Sequence, residues 1–288
     1  MKISFFCIAT EPFKNQYPIK QSVRSLLPIA DEIIIVFGRR EKKSEEYFLN
    51  LSDKIKIYNT DQWPIEWKYS VMTYHFDFAL QKCTGDICIK FDIDYVFNCQ
   101  DKNNFENGFK PFLDKHLIYL PKINYLNKNF GRYFEKGIYA VNRKLLLKEN
   151  RKFWIGVKDY VNTLFIDGEY EIGIISKNTT QMWVFNFDCT FMDKNTFIEK
   201  QYRWYMAYYL ENGNLNKFNL TLEQIKNKKY LFDLIIRKQL DKIDYAIKNN
   251  LIIKPGPYPR IIIKELDKLT PEKYGYNYFG YFKKQLVL

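Results

Sequence analysis

The sequence predicts an α/β protein built around a mostly parallel sheet with helices on its faces. Three observations lead there. Short β-branched or aromatic runs bounded by turn residues recur over roughly the first hundred positions. Segments with apolar residues at helical spacing separate those runs. One run, Glu32-Ile33-Ile34-Ile35-Val36-Phe37, is apolar almost without interruption, the pattern of a strand covered on both faces.

Residues 2–9 form the first expected strand, closed by Thr10-Glu11-Pro12. Residues 17–27 carry Ile19, Val23, Leu26 and Leu27 on one helical face. After the second strand come a short helix at 45–51, a third strand at 56–58, and a helix at 71–80. That helix leads into Thr84-Gly85-Asp86. Ile87, Ile89 and Phe91 then alternate with Cys88 and Lys90 in a run too short for a helix. Strand and helix alternate throughout, which implies parallel strands joined by right-handed crossovers. Further on, 117–120 reads as a strand ended by Pro121, and 136–141 as a strand running into a helix from Lys144. More strands are expected at 170–175 and 182–187. Helices dominate from Asn195: an aromatic one at 196–210 and a single long amphipathic one at 222–249, before the Pro-rich break at 255–259. With no internal repeat, 1–195 is expected to be one α/β domain and 196–288 a helical extension packed on it.

Composition bounds the function. At 47% hydrophobic and 18% aromatic, the chain is too apolar for a disordered protein. No apolar run approaches the ~20 residues of a membrane span. The apolar N-terminus is interrupted at once by Glu11, Pro12 and Lys14, so it reads as a buried strand and not as a leader. The five cysteines (Cys7, Cys83, Cys88, Cys99, Cys189) lack zinc spacing, and their odd number points to reduced thiols and a cytoplasmic home. The net charge of +12 is spread along the chain, with its tightest cluster at 39–43. That argues against a specific nucleic-acid module and leaves a general attraction to anionic ligands or to a membrane periphery.

The chemistry concentrates at Asp92 and Asp94. Two carboxylates one residue apart on a strand point to the same side and repel unless a cation lies between them. A hard divalent ion carrying a diphosphate meets that demand. Asp-x-Asp is common by chance, and a strand-end carboxylate often caps a turn. Here, however, it follows Thr84-Gly85-Asp86 and a buried strand, at the carboxyl end where open α/β sheets bind ligands.

In this order the segments resemble glycosyltransferases of the GT-A fold, and among them the inverting, family 2-like enzymes. The resemblance is carried by Asp31-Glu32-Ile33-Ile34-Ile35-Val36, by Ala79-Leu80-Gln81-Lys82-Cys83-Thr84-Gly85-Asp86 and by Phe91-Asp92-Ile93-Asp94. Trp183-Val184-Phe185-Asn186-Phe187-Asp188, with Lys200 and Trp204, adds to it. It implies a GT-A type, Rossmann-like sheet. The implied activity is a Mn²⁺- or Mg²⁺-dependent transfer of a sugar, hexosyl in type, from a nucleoside-diphosphate sugar to a glycan, lipid-linked sugar or other hydroxyl acceptor, with inversion.

By the same resemblance Asp94 is the direct metal ligand, and Asp92 meets the ribose, the donor sugar or a metal-bound water. Thr10 and Glu11 border the base and ribose, and Asp61, Trp67 and Lys68 line the base pocket. Two departures stand out. Phe37-Gly38-Arg39-Arg40 replaces an acidic turn, so Arg39 or Arg40 is expected to meet phosphate or a different base. Where relatives place a histidine, Asn186 or Asp188, or water, is the third ligand. Lys200 or Arg203 would steady the leaving diphosphate, and Gly137 and Arg143 would stand on the acceptor side. The base is sought among Asp159, Asp167 and Glu169, with Asp167 favoured for its exposed Asp-Gly turn. The aromatics Tyr202, Trp204, Tyr205, Tyr208 and Tyr209 read as core. Two other classes compete. A nucleotidyltransferase would show a Gly-rich basic loop after the first strand, where Thr10-Glu11-Pro12-Phe13 stands. A non-catalytic binding protein would draw only on the charge.

Overall fold

The computed structural model describes residues 1–64, 66–99, 101–126, 131–158, 161–176, 184–249, 252–253, 258–270, 273, 275 and 279–281. Its first half alternates as the sequence predicts: β1 (Ile3–Thr10), α1 (Ile19–Leu26), β2 (Glu32–Arg39), α2 (Lys42–Leu49), β3 (Ile55–Asn59), α3 (Tyr69–Lys82) and β4 (Ile87–Lys90). These strands lie in the order β3-β2-β1-β4, all parallel. The apolar run of β2 is explained by its two covers. Ile33, Ile35 and Phe37 pack with Ile19, Val23 and Leu26 of α1. Ile34 and Val36 pack with Phe76, Ala79 and Leu80 of α3. Each such side chain contributes about 1.5–3 kcal/mol on burial.

The second half adds β5 (Tyr95–Phe97), α4 (Lys102–Phe109), β6 (Leu117–Tyr125), β7 (Gly131–Asn142) and α5 (Arg143–Lys148). Then follow β8 (Phe153–Lys158), β9 (Val161–Ile166), β10 (Ile172–Ile174) and β11 (Val184–Asn186). The sheet continues β4-β7-β6-β11-β5, with β7 antiparallel to both β4 and β6. Among the described residues the β8–β9 hairpin pairs only with itself. Thr73 of α3 donates to Asn162 of β9 at 2.6 Å, fastening that hairpin to the helix.

Two expectations are corrected. Pro121 does not end its strand. β6 runs on to Tyr125 through a register shift between Leu120 and Lys122, and a bulge tolerates a residue without N–H. Gly137 stands opposite, where a Cβ would lie 2.1 Å from the Lys122 Cβ. The long C-terminal helix is also not continuous. It divides at Asn227 into α7 (Leu222–Lys226) and α8 (Lys228–Lys248), because the Asn227 side chain accepts from the Tyr230 N–H and starts a new helix.

Before these comes α6 (Lys194–Asn212), and after them β12 (Ile252–Ile253) and α9 (Arg260–Leu266). Phe197, Ile198 and Tyr208 of α6 share a core with Leu231, Phe232, Ile235 and Ile236 of α8. Trp63, Trp67 and Tyr69 from the segment after β3 complete it. Of the aromatics read as core, Tyr208 is buried, while Tyr202, Trp204, Tyr205 and Tyr209 pack on its edge. All five cysteines are buried free thiols. Among the described residues no helix is long and apolar enough to cross a membrane.

Candidate active site

The site depends first on a pin at the far end of the sheet. Glu32, only 2% exposed, accepts from the Ser4 hydroxyl at 2.5 Å, the Thr84 hydroxyl at 2.8 Å and Lys56 Nζ at 2.9 Å. Ser4 Oγ in turn accepts from the Gly85 N–H at 2.7 Å. A Cβ on Gly85 would stand 2.4 Å from Ser4 Oγ and 2.7 Å from Ser4 N, so the approach requires glycine. Burial alone would raise the Glu32 carboxyl, but the bonds from Lys56, Ser4 and Thr84 outweigh it and bring it down to about 2. This pin sets β4 against β1 in the register Phe5↔Ile89 and Phe6↔Lys90. The residues after β4 therefore arrive beside the end of β1.

There the chain turns, with Tyr95 N–H donating to the Asp92 carbonyl at 2.9 Å. Asp92 and Asp94 thus lie in a turn past the strand, and it is this turn, not the pleat, that delivers both to one cleft of about 450 Å³. The Asp94 carbonyl accepts from the Phe187 N–H at 3.1 Å, which brings the continuation of β11 and its Asp188 alongside. Asp94 is buried, and among the described residues its Oδ1 has no hydrogen-bond partner. Burial, then the charge of Asp188 and further that of Asp92, push its carboxyl up to about 7 against the pull of Lys200. Asp92 behaves oppositely: the surrounding protein raises it, but Lys90 Nζ at 2.9 Å and the Tyr95 hydroxyl bring it below the usual range. Asp188, though half exposed, is likewise lowered, since its ion pair with Lys200 outweighs the desolvation imposed by the surrounding protein. Lys122 reaches the Tyr95 hydroxyl at 3.1 Å from beneath.

The start of α6 is fixed to the β1–α1 connection. Asp193 caps Thr196 N–H at 2.8 Å, while Gln16 both donates to the Asp193 carboxylate at 2.8 Å and accepts from its N–H at 2.7 Å. This sets Lys200, Arg203 and Trp204 on the helix face toward the cleft. Arg203 donates to Asn15 Oδ1 at 2.7 Å, and the Asn15 amide donates to the carbonyls of Thr10 at 2.7 Å and Glu11 at 3.0 Å. That amide braces Glu11, which takes a left-handed φ of 45°. Arg39 pairs with Glu11 at 3.0 Å and lines the cleft, whereas Arg40 faces Glu45 at 3.6 Å. Gly38 admits the Trp63 ring against the end of β2, where a Cβ would lie 2.6 Å from Trp63 Cβ. Trp63, Trp67 and Trp204 then form a row with centroid spacings of 5.3 and 5.2 Å.

Of the residues singled out by sequence, Thr10, Trp67, Asp92, Asp94, Asn186, Asp188 and Lys200 converge on this cleft. Glu11 stands one step behind, through Arg39. Asp61 and Lys68 do not line it; both are exposed, because the loop turns its indoles inward and its charges out. Asp167 and Glu169 are also not brought there. Their carbonyls accept from Arg151 at the end of β9, whereas the cleft is touched by Asn162 near the strand's start. A strand of that length separates the two ends by ~15–20 Å. Gly137 serves the bulge, and Arg143 begins α5 beside Asp86, whose carbonyl accepts from Lys144 N–H at 3.1 Å at the amino end of β4. Asp159 and Trp183 lie outside the described residues. Asn15, Tyr17, Trp63, Lys90, Tyr95, Asn162, Gln201 and Gln239 were not foreseen, and only Lys90, adjoining the Asp pair, carried a sequence signal.

The resemblance implies a divalent cation. Among the described residues no three His, Cys, Asp or Glu side chains group tightly enough to hold one as they stand. The donor chemistry nevertheless fits a hard ion: Asp94 offers a buried oxygen with no partner among the described residues, and Asp92 and Asp188 add charge beside it.

No protein-family profile and no curated protein sequence matches the chain. Among solved structures it is similar to residues 1–349 of S. aureus TarS, at 11% identity and TM-score 0.45, covering 82% of this chain and 79% of that one. The complex of the same fragment with UDP-GlcNAc gives 12% identity and TM-score 0.43 over 82% and 72% of the two chains. The mannosyltransferase PcManGT from Pyrobaculum calidifontis, in complex with GDP-Man and Mn²⁺, gives 9% and 0.43 over 80% and 70%. These are likenesses in the course of the chain and bear on no individual side chain.

Proposed function

We propose that the chain is a glycosyltransferase that takes its sugar from a nucleoside-diphosphate donor, with Mn²⁺ or Mg²⁺ held by Asp94 together with Asp92 or Asp188. The observation that carries this reading is Oδ1 of buried Asp94, without a partner among the described residues and set among carboxylates at the carboxyl end of the parallel strands. When bound, the cation would supply positive charge toward the departing diphosphate.

The chain's own residues perform the rest. Trp63 and Trp67 line the part of the cleft where a base would lie, and Arg39 and Arg203 bring cationic donors beside them. Lys200, held by Asp188 and with Nζ 4.8 Å from the Tyr17 ring, adds a fixed positive charge for the leaving group. Asp159 is the proposed base. It precedes Asn162, which lines the cleft, while Asp167 and Glu169 stand at the other end of β9. It would take the proton of the acceptor hydroxyl as that oxygen bonds to the anomeric carbon and the carbon–oxygen bond to the diphosphate breaks. A single displacement of this kind inverts the anomeric centre. The connection from Thr10 to Pro18 contains no glycine, which does not favour a nucleotidyltransferase.

Thermal unfolding with a panel of nucleoside diphosphates and nucleotide sugars, in Mn²⁺ and in EDTA, tests this. One nucleotide class should stabilise the protein only with metal, and Asp94→Ala should abolish the effect. Stabilisation indifferent to both EDTA and Asp94→Ala would remove the metal site. No response to any nucleotide would remove the transferase reading.

A further inference from the structure

A second hollow of about 240 Å³ opens between α6 and α8, next to the cleft. Gln201, Trp204 and Gln239 line both, so the two are continuous. One wall is aromatic: the Tyr205 and Phe218 rings meet edge to face at 5.1 Å. Lys238 Nζ stands 5.9 Å from the first ring centroid and 5.8 Å from the second. Lys242, one helical turn on, lines the same hollow. Among the described residues neither lysine makes a salt bridge. Burial, and then the charge of Lys242, lower Lys238 from the ordinary lysine range.

Two like charges beside an apolar wall repel, and an anion between them relieves that repulsion. Aromatic faces suit the C–H face of a sugar ring, and the Gln201 and Gln239 amides suit its hydroxyls. The volume falls below the about 300–1,000 Å³ of a drug-sized ligand site, which fits one sugar ring and not a second nucleotide. We propose that this hollow is the acceptor subsite of the cleft and that it receives a saccharide bearing a carboxylate or phosphate, with Lys238 and Lys242 as the anion's partners. The assignment as acceptor subsite rests on the transferase reading above.

The test is a saturation-transfer NMR titration with digalacturonate, glucose 1-phosphate and neutral maltose, on wild type and on the Lys238→Ala/Lys242→Ala double variant. The anionic saccharides should bind wild type at least tenfold more tightly than maltose, and whichever binds better identifies the anion. The double variant should lose that preference while keeping its metal-dependent stabilisation by nucleotide, which also shows that it is folded. Equal binding of charged and neutral saccharides, or an unchanged preference in the variant, overturns the proposal. Selective anionic binding in a protein that responds to no nucleotide would instead overturn the transferase reading and leave the anionic-saccharide site standing.

Discussion

In Asp94→Asn a buried carboxyl is exchanged for an amide of nearly the same shape, which separates the cost of its charge from its packing. In the folded protein the carboxyl is raised from 3.8 to about 7 by burial and then by Asp188. At about 1.4 kcal/mol per pKa unit, the ionised form carries a penalty of at most about 4 kcal/mol. The amide keeps a buried polar group that costs about 1–3 kcal/mol if unpaired, so a net gain of about 1–3 kcal/mol is expected in the metal-free protein at pH 8. Because the folded-state value lies above the unfolded one, the wild type binds the extra proton between about pH 4 and 7 and loses stability as pH rises through that window. The advantage of the variant should therefore grow from about pH 4 and level off above about 7. Urea unfolding of both proteins in EDTA at pH 4.5, 6 and 8 reads this directly. A variant less stable at pH 8, or a difference that ignores pH, would refute the reasoning about Asp94.

Other outcomes are open to measurement. Gly85→Ala forces a Cβ to 2.4 Å from Ser4 Oγ and should cost about 1–3 kcal/mol by denaturant titration, with Asp86→Ala as a milder control. Glu32→Gln should lose up to about 3 kcal/mol at pH 7, since its carboxyl is lowered from 4.5 to about 2. That contribution is complete above the unfolded value and fades as pH falls toward about 2, so the two proteins should converge in acid unfolding. Asp159→Asn should leave nucleotide binding intact and reduce sugar transfer by about 10²–10⁴-fold, whereas Asp167→Asn should transfer as wild type.

How far the sequence was legible depended on how local each signal was. The two-sided burial of β2 shows in its unbroken apolar run, and the Asp pair shows because a close pair of carboxylates needs something to hold it. Pro121 misled because a missing N–H ordinarily ends a strand, and only the partner strand's Gly137 makes room for the bulge. Asn227 was hidden within a helical pattern that continues in register across the break, its capping bond being a matter of rotamer and not of periodicity. The chain bends at Asp167-Gly168, with Gly168 at a φ of 73°, yet such local chemistry does not say which end of β9 meets the cleft. Trp63 and Asn15 carried no signal because their roles depend on what the chain places opposite them: Gly38 for one, Arg203 on distant α6 for the other.

The row of Trp63, Trp67 and Trp204 also has an optical consequence. These are three of the chain's five tryptophans, and all three line the cleft. Their spacings of 5.3 and 5.2 Å let excitation pass from ring to ring, so a change at one of the three is felt by the emission of all. A base laid against Trp63 or a sugar against Trp204 would dim or shift the same signal. The protein thus carries its own label-free gauge of occupancy at both ends of the site.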